Sequence, residues 1–226
     1  MHLKKKLSQR LQEYPTTNKN ISLNNRDITL TIINHPDDLL EIFSREDSDG
    51  VLYLPYWTYL WDSAITLAHH ISELGDLKNQ RILEIGCGFG LVGIVAELYG
   101  AEVIFTDFEI EALFFALENS QQNGIDSPKL VQMDWTTPCL DTEFDIILGS
   151  DVIYDQQNWK PIIGLIQDLL KCDGIALFSE PNRENASGFF DLIEENGLSY
   201  EKSTCSIDSI DSSIQINIYT IYDESD

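Results

Sequence analysis

Positive charge is what this sequence has least of. Its 226 residues hold 14 lysines and arginines against 38 aspartates and glutamates, for a formal net charge of −24 at pH 7. A chain so poor in cations lacks the broad basic face that neutralises a phosphate backbone, which argues against nucleic-acid binding and favours a basic partner. Long apolar runs are missing as well. None approaches the ~18 residues needed to span a membrane, and the basic start at Lys4, Lys5, Lys6 and Arg10 is not followed by the apolar stretch of a secretory signal. Cysteine and histidine are sparse. Cys87, Cys139, Cys172 and Cys205 form no CxxC pair, and His2, His35, His69 and His70 lack metal-ligand spacing, so no metal site is expected. The cysteines read as reduced, packed thiols of a cytoplasmic protein. Repeats and Pro/Gly/Ser-rich linkers are absent, so residues 1–226 read as a single domain, expected to be monomeric.

What is present is a globular composition, 43% apolar with 10% aromatic residues, enough for a full core at this length. Residues 1–60 read as an N-terminal elaboration. Leu3, Leu7 and Leu11 form one stripe of a short amphipathic helix that docks on the body or on a partner. Residues 20–33 alternate apolar and polar around Asn24-Asn25, the pattern of a hairpin. Pro36, Asp37 and Asp38 then open a short helix running to about Arg45. The core, residues 61–226, begins with a helix over 62–74 whose apolar face carries Ala64, Ile65, Ala68, Ile71 and Leu74. Beyond it strands and helices alternate. Strands fall at 81–86, 102–107, 129–134, 144–151 and 174–180, helices at 91–100, 108–124, 159–171 and 185–196, and two final strands near 198–205 and 214–222. This order specifies a doubly wound α/β fold with a mostly parallel seven-stranded sheet. The last two strands are joined without a helix, so the C-terminal one should run antiparallel, and ligand should bind at the carboxyl ends of the first strands.

The chemistry-bearing residues gather at those ends. Glu84-Ile85-Gly86-Cys87-Gly88-Phe89-Gly90 leaves the first strand and opens the first helix of the alternation, where glycines permit a sharp turn and close backbone approach to a ligand. Leu91 stands where a dinucleotide fingerprint places a small residue, so the spacing suits a ligand without a pyrophosphate. Asp107 ends the second strand, placed either to accept both hydroxyls of a ribose or to cap the next helix. Asp134-Trp135 ends the third, where a carboxylate, a backbone N–H and an apolar ring can read and cover an adenine, Trp135 being alternatively plain core. Together they make a constellation for an adenosine moiety. At the fourth strand end stand Ser150, Asp151 and Tyr154, polar groups at the reactive end of such a ligand; the alternative is that Asp151 caps a turn and Tyr154 packs.

Glu84 to Gly90, Asp107, Asp134-Trp135 and Asp151-Val152-Ile153-Tyr154 together resemble the class I, seven-strand S-adenosylmethionine-dependent methyltransferases. More narrowly they are similar to the protein-lysine methyltransferase group with D-x-x-Y after the fourth strand and a Trp-Asp segment before the first, here Tyr56-Trp57-Thr58-Tyr59-Leu60-Trp61-Asp62-Ser63-Ala64. Glu180-Pro181-Asn182-Arg183 resembles the branch acting on the electron-transfer flavoprotein, from which Asp62, Ser63 and Ala64 depart. The resemblance covers roughly residues 51–200 and implies a Rossmann-like methyltransferase fold with S-adenosylmethionine as cofactor and S-adenosylhomocysteine as product. Carried over by position, Trp61, Gly86, Gly88, Asp107, Trp135 and Ser150 would contact the cofactor, with Glu84, Cys87, Gly90, Phe108 and Asp134 beside them. Asp151 and Tyr154 would meet the acceptor amine.

The expected activity is methylation of a lysine side chain on a protein. A small-molecule amine acceptor, or a catalytically silent cofactor-binding module, are the competing readings. Oxygen or carbon methylation is disfavoured because no histidine falls near the strand ends to act as base.

Overall fold

The computed structural model describes residues 14–24, 26–39, 54–183, 186–208 and 213–224. The helix expected around Leu3, Leu7 and Leu11, and the course of the short helix beyond residue 39, lie outside them; residues 36–39 are helical. Two antiparallel strands open the described chain, β1 (Thr16–Leu23) and β2 (Arg26–Ile33), with Leu23 opposite Arg26 as the alternation around Asn24-Asn25 predicts. β1 starts earlier than the alternation marks it, because its first residues are all exposed and leave no apolar-polar signal.

Seven strands build the main sheet: β3 (Arg81–Ile85), β4 (Glu102–Asp107), β5 (Lys129–Gln132), β6 (Phe144–Ser150), β7 (Leu170–Glu180), β8 (Leu198–Asp208) and β9 (Ser213–Asp223). Their spatial order is β5-β4-β3-β6-β7-β9-β8. Neighbours from β5 through to β7 pair in parallel. β9 slots between β7 and β8 and runs antiparallel to both, as expected for a strand reached by hairpin rather than by helical crossover. The order reverses at β3, whose neighbours β4 and β6 lead away in opposite directions. That reversal opens a crevice at the carboxyl ends of these strands.

Among the described residues, five helices cover the sheet: α1 (Asp62–Leu74), α2 (Leu91–Leu98), α3 (Ile110–Gln122), α4 (Trp159–Leu169) and α5 (Ser187–Glu195). One apolar core joins the hairpin, α1, α2 and α3 to Ile82, Val103 and Leu148 of the sheet. The other joins α4 and α5 to Leu83, Ile147 and Phe178. Apolar side chains therefore alternate between two covered faces along the central strands, and β3 is buried from Ile82 onward. Hairpin and body are also tied by side-chain amides on α3. Asn119 Oδ1 accepts from Thr31 N at 2.7 Å and Asn119 Nδ2 donates to Thr31 O at 3.2 Å. Asn123 does the same for Thr29, at 3.1 and 2.8 Å. Two asparagines one turn apart thus imitate a neighbouring strand and satisfy the edge of β2.

Three expectations need correction. Leu74, placed on the apolar face of α1, is 45% exposed, because the last turn runs out to Gly75 (φ +83°) beyond the packed surface. Ser63, Thr66, Leu67 and Ser72 are buried in its stead, α1 being covered by more than one neighbour. The cysteines are not all packed: Cys87 is buried, but Cys139, Cys172 and Cys205 are exposed, and none of the four forms a disulfide. The helix expected to reach Lys171 ends at Leu169, since Leu170 already pairs with Phe144 as the start of β7.

Candidate active site

The chain leaves β3 through three glycines in the left-handed region, Gly86 (φ +59°), Gly88 (φ +51°) and Gly90 (φ +79°), a path that a Cβ would strain. At Gly86 the missing Cβ also makes room. It would sit 3.0 Å from Val152 Cγ1 and 3.2 Å from the Trp135 ring, so glycine here lets the loops after β5 and β6 close over the end of β3. The loop is anchored from β4. Cys87 N donates to Thr106 O at 2.9 Å, and Gly88 N to Asp107 Oδ2 at 2.9 Å. Asp107 Oδ1 accepts from Glu109 N at 2.9 Å, so this side chain braces the glycine turn and also shapes the entry to α3. Burial pushes its carboxyl up to about 6, against the lowering by those N–H groups.

Glu84 reaches the same place from β3. It is 2% exposed, and its Oε2 accepts from Gly93 N in the first turns of α2 at 3.1 Å. Burial pushes its carboxyl up to about 8. Gly93 was not singled out from the sequence, yet a Cβ there would lie 2.4 Å from Phe105 and 2.5 Å from Glu84 Oε2. Its only signal is a glycine within the apolar run Leu91–Ala96 of a helix, the mark of close packing.

These residues line a cavity of about 470 Å³ at the carboxyl ends of β3, β4 and β6, within the size range of small-molecule sites. Trp61, Glu84, Gly86, Cys87, Gly88, Asp107, Phe108, Asp134, Trp135, Ser150, Asp151 and Tyr154 all line it. Gly90 does not: it is the N-cap of α2, and a Cβ there would meet Ala116 at 3.0 Å. Asp134 Oδ1 accepts from Thr136 N and Oγ1 at 2.8 and 2.7 Å, bonds that hold its carboxyl below the usual range. Trp135 presents a buried indole Nε1 with no partner. The sequence stretch before α1 supplies an aromatic wall. Tyr56 and Tyr154 meet edge to face at 5.0 Å, Tyr59 and Trp61 lie 5.2 Å apart, and Trp61 Nε1 donates to Tyr56 O at 3.1 Å.

At the end of β6, Asp151 is held at φ +54°, a conformation costly for a non-glycine residue and kept only where the surroundings enforce it. Its N–H donates to Ser179 O at 2.8 Å. Oδ2 accepts from Arg183 Nη2 at 2.9 Å, while Oδ1 is buried without a partner. Burial raises the Asp151 carboxyl to about 6, Arg183 opposing and Glu180 reinforcing the rise. Desolvation likewise lifts the Tyr154 phenol to about 12, so it remains a neutral hydroxyl at pH 7. Sequence reasoning noted Arg183 only as part of a matching segment and gave it no role; nothing local ties it to Asp151.

Five carboxyl side chains, Glu84, Asp107, Glu109, Asp134 and Asp151, line the cavity, and among the described residues no Lys, Arg or His does. Even with Glu84 held mostly as the neutral acid at pH 7 by burial, such a wall suits a ligand carrying positive charge and opposes a phosphate. S-adenosylmethionine fits on three counts: a sulfonium and an ammonium against the carboxylates, the flat aromatic face of adenine against Trp135, and the open backbone at Gly88, where a Cβ would meet nothing nearer than 3.8 Å. Among the described residues no group of three or more His, Cys, Asp or Glu could hold a metal ion, and no helix is long and apolar enough to cross a membrane.

Comparison with known proteins agrees with this geometry. Residues 57–196 match the family described as "Lysine methyltransferase". Protein N-lysine methyltransferase METTL21A of Danio rerio is 34% identical over 129 residues, covering 53% of this chain and 58% of that protein. Histidine protein methyltransferase 1 homolog of Dictyostelium discoideum is 36% identical over 51% of this chain and 40% of its own length. Histone-arginine methyltransferase METTL23 of Mus musculus is 30% identical, with 54% and 51% covered. The chain thus spans about half the length of the curated relatives it matches. Among solved structures, the ribosomal protein L11 methylase of Lactobacillus delbrueckii subsp. bulgaricus superposes with a TM-score of 0.63 at 21% identity, covering 91% of this chain and 99% of that one. Precorrin-6y C5,15-methyltransferase of Geobacter metallireducens gives 0.57 at 16% identity, over 70% and 86%. At these identities the structural likeness speaks for the fold alone.

Proposed function

Since the chain belongs to the lysine methyltransferase family, whose match spans more than half of its length, we propose that it moves the methyl group of S-adenosylmethionine to the side-chain amine of a protein lysine. The observation that carries this reading is the cavity wall of carboxylates without a cation. Glu84, Asp107, Asp134, Trp61, Trp135, Ser150 and the Gly86–Gly88 turn would hold the cofactor, which when bound supplies an electrophilic methyl carbon on a sulfonium.

Everything else falls to the chain's own residues. A lysine amine with a pKa of ~10.4 is neutral in only about one molecule in 2,500 at pH 7, a cost of about 4.6 kcal/mol. The carboxylates and the rings of Tyr56, Trp61 and Tyr154 favour its charged form, and since among the described residues no histidine or lysine lines the cavity to take the proton, it is released to water. Asp151 orients the amine through its free Oδ1, and Tyr154 supplies a neutral hydroxyl and one wall of a narrow slot. Alignment of this kind contributes several kcal/mol to the rate. The net charge of −24 supports a basic acceptor protein, which a negative surface would capture faster.

Incubating the protein with methyl-labelled S-adenosylmethionine and a cell lysate tests the reading. Label on a protein lysine is expected. Label on histidine or arginine would move the assignment within the wider set of relatives, label only in small molecules would replace the acceptor class, and cofactor binding without any transfer would leave a silent binding module.

A further inference from the structure

Arg183 stands outside the cavity lining yet makes the one ion pair to its catalytic rim among the described residues. The Nη2 to Asp151 Oδ2 distance is 2.9 Å, with the Asp151 side chain 4% and the Arg183 side chain 30% exposed. The arginine is fixed from behind. Its own N–H donates to Glu180 Oε2 at 2.7 Å. The other oxygen of Glu180 accepts from Asn217 Nδ2 at 2.6 Å, and Asn217 Nδ2 also lies 3.0 Å from Asn182 Oδ1. Glu180 and Asn217 are each 1% exposed. A buried network spanning β7 and β9 therefore fixes the backbone of Arg183, whose guanidinium occupies one oxygen of Asp151 and leaves the other without a partner.

We infer that Arg183 is a positioning residue for the transfer step: by holding Oδ2 it fixes the carboxylate so that Oδ1 alone is presented to the acceptor N–H. The inference rests on the methyltransfer reading above. A buried acceptor atom with no donor costs free energy, and that cost is recovered when an amine arrives. Arg183 also keeps Asp151 charged. Acting on Asp151 are Glu180 and Arg183 from the end of β7 and Tyr154 on its own loop, while Glu84, Asp107, Glu109 and Asp134 line the same cavity. Of these only Arg183 is cationic, so it alone opposes the upward pull of burial and of the neighbouring acids.

The test uses the full chain with Arg183→Met and Arg183→Lys, and two readouts. The first is the titration of the Asp151 side-chain carboxyl carbon by NMR without cofactor. Its midpoint, near 6 in the wild type, should rise by about one pH unit or more in the methionine variant, the scale set by an opposite charge within hydrogen-bond reach. The lysine variant should hold it closer to the original. The second readout is the variant-to-wild-type ratio of labelling rate in the lysate assay from pH 5 to 9. A midpoint displaced by one pH unit lowers this ratio about tenfold further at pH 5 than at pH 8. A midpoint that does not move, or a ratio that is flat across pH, would overturn the inference even if the wild type methylates. Absence of transfer by the wild type itself would overturn the methyltransfer reading, and this role with it.

Discussion

Glu84→Gln separates what a buried carboxyl costs this fold from what it does for the ligand. The side chain is 2% exposed and bonded by Gly93 N. Glutamine can keep that bond through its carbonyl oxygen, with little change of volume. Burial raises the carboxyl from the ordinary 4.5 to about 8, so the folded protein holds a proton that the unfolded chain has already released. The stability contributed by the protonated form is therefore complete below about pH 4.5 and is lost as pH rises through about 8. At about 1.4 kcal/mol per pH unit this loss has a ceiling of about 5 kcal/mol over the interval. Glutamine does not titrate. The difference in unfolding free energy between variant and wild type should thus grow steadily in favour of the variant from pH 5 to 8, other titrating groups cancelling between the two. Urea unfolding at four pH values measures it. The same substitution removes a negative charge from the cavity, so affinity for S-adenosylmethionine should be lower in the variant at pH 8.5, where wild-type Glu84 is mostly ionised, and nearly equal at pH 6, where it is not. A stability difference that stays constant with pH would refute the claim that Glu84 is protonated in the fold; equal affinity at pH 8.5 would refute its pairing with a cationic ligand.

Asp107→Ala should weaken S-adenosylhomocysteine binding by about 1.5 to 3 kcal/mol, the value of hydrogen bonds to a charged group, and calorimetry on the folded variant decides whether this side chain belongs to the site. Asp151→Asn keeps the size but removes the charge, so turnover should fall tenfold or more while cofactor affinity changes little; full activity would return Asp151 to a turn-capping role. Once a protein acceptor is in hand, kcat/KM should fall several-fold between about 50 and 300 mM salt while kcat holds, because steering acts on encounter and is screened beyond ~8 Å. A flat kcat/KM would assign the acidity to solubility alone.

The order of strands and helices from residue 62 onward was legible because each element carries its own local signature: a short apolar run, a helical stripe, a terminal glycine. The glycine turn and the acids at the strand ends were legible for a related reason. A parallel sheet brings every strand's carboxyl end to one rim, so Asp107 at the end of β4 and Asp151 just after β6 were expected to share it; Asp134 does so too, although β5 stops at Gln132, two residues short of the expected end, and all three line one cavity. The hairpin was readable over its alternating half, whereas the exposed start of β1 carried no pattern at all.

What local pattern could not give is everything that depends on residues far apart in the chain. Gly90 and Gly93 look alike in sequence to the lining glycines, yet their roles are set by Ala116 and Phe105 packing against them. Asn119 and Asn123 read as polar residues near a helix end until β2 arrives to use their amides. Arg183 becomes a partner of Asp151 only because β7 lies beside β6 and a network from β9 fixes the loop after β7. The sequence by itself determined the fold class and most of the residues that gather at the rim, since these follow from periodicity and strand ends. The tertiary structure alone decided which carboxyls are buried, which lone pairs remain free and which cation answers them, because burial and pairing are properties of neighbours that the chain's own order does not name.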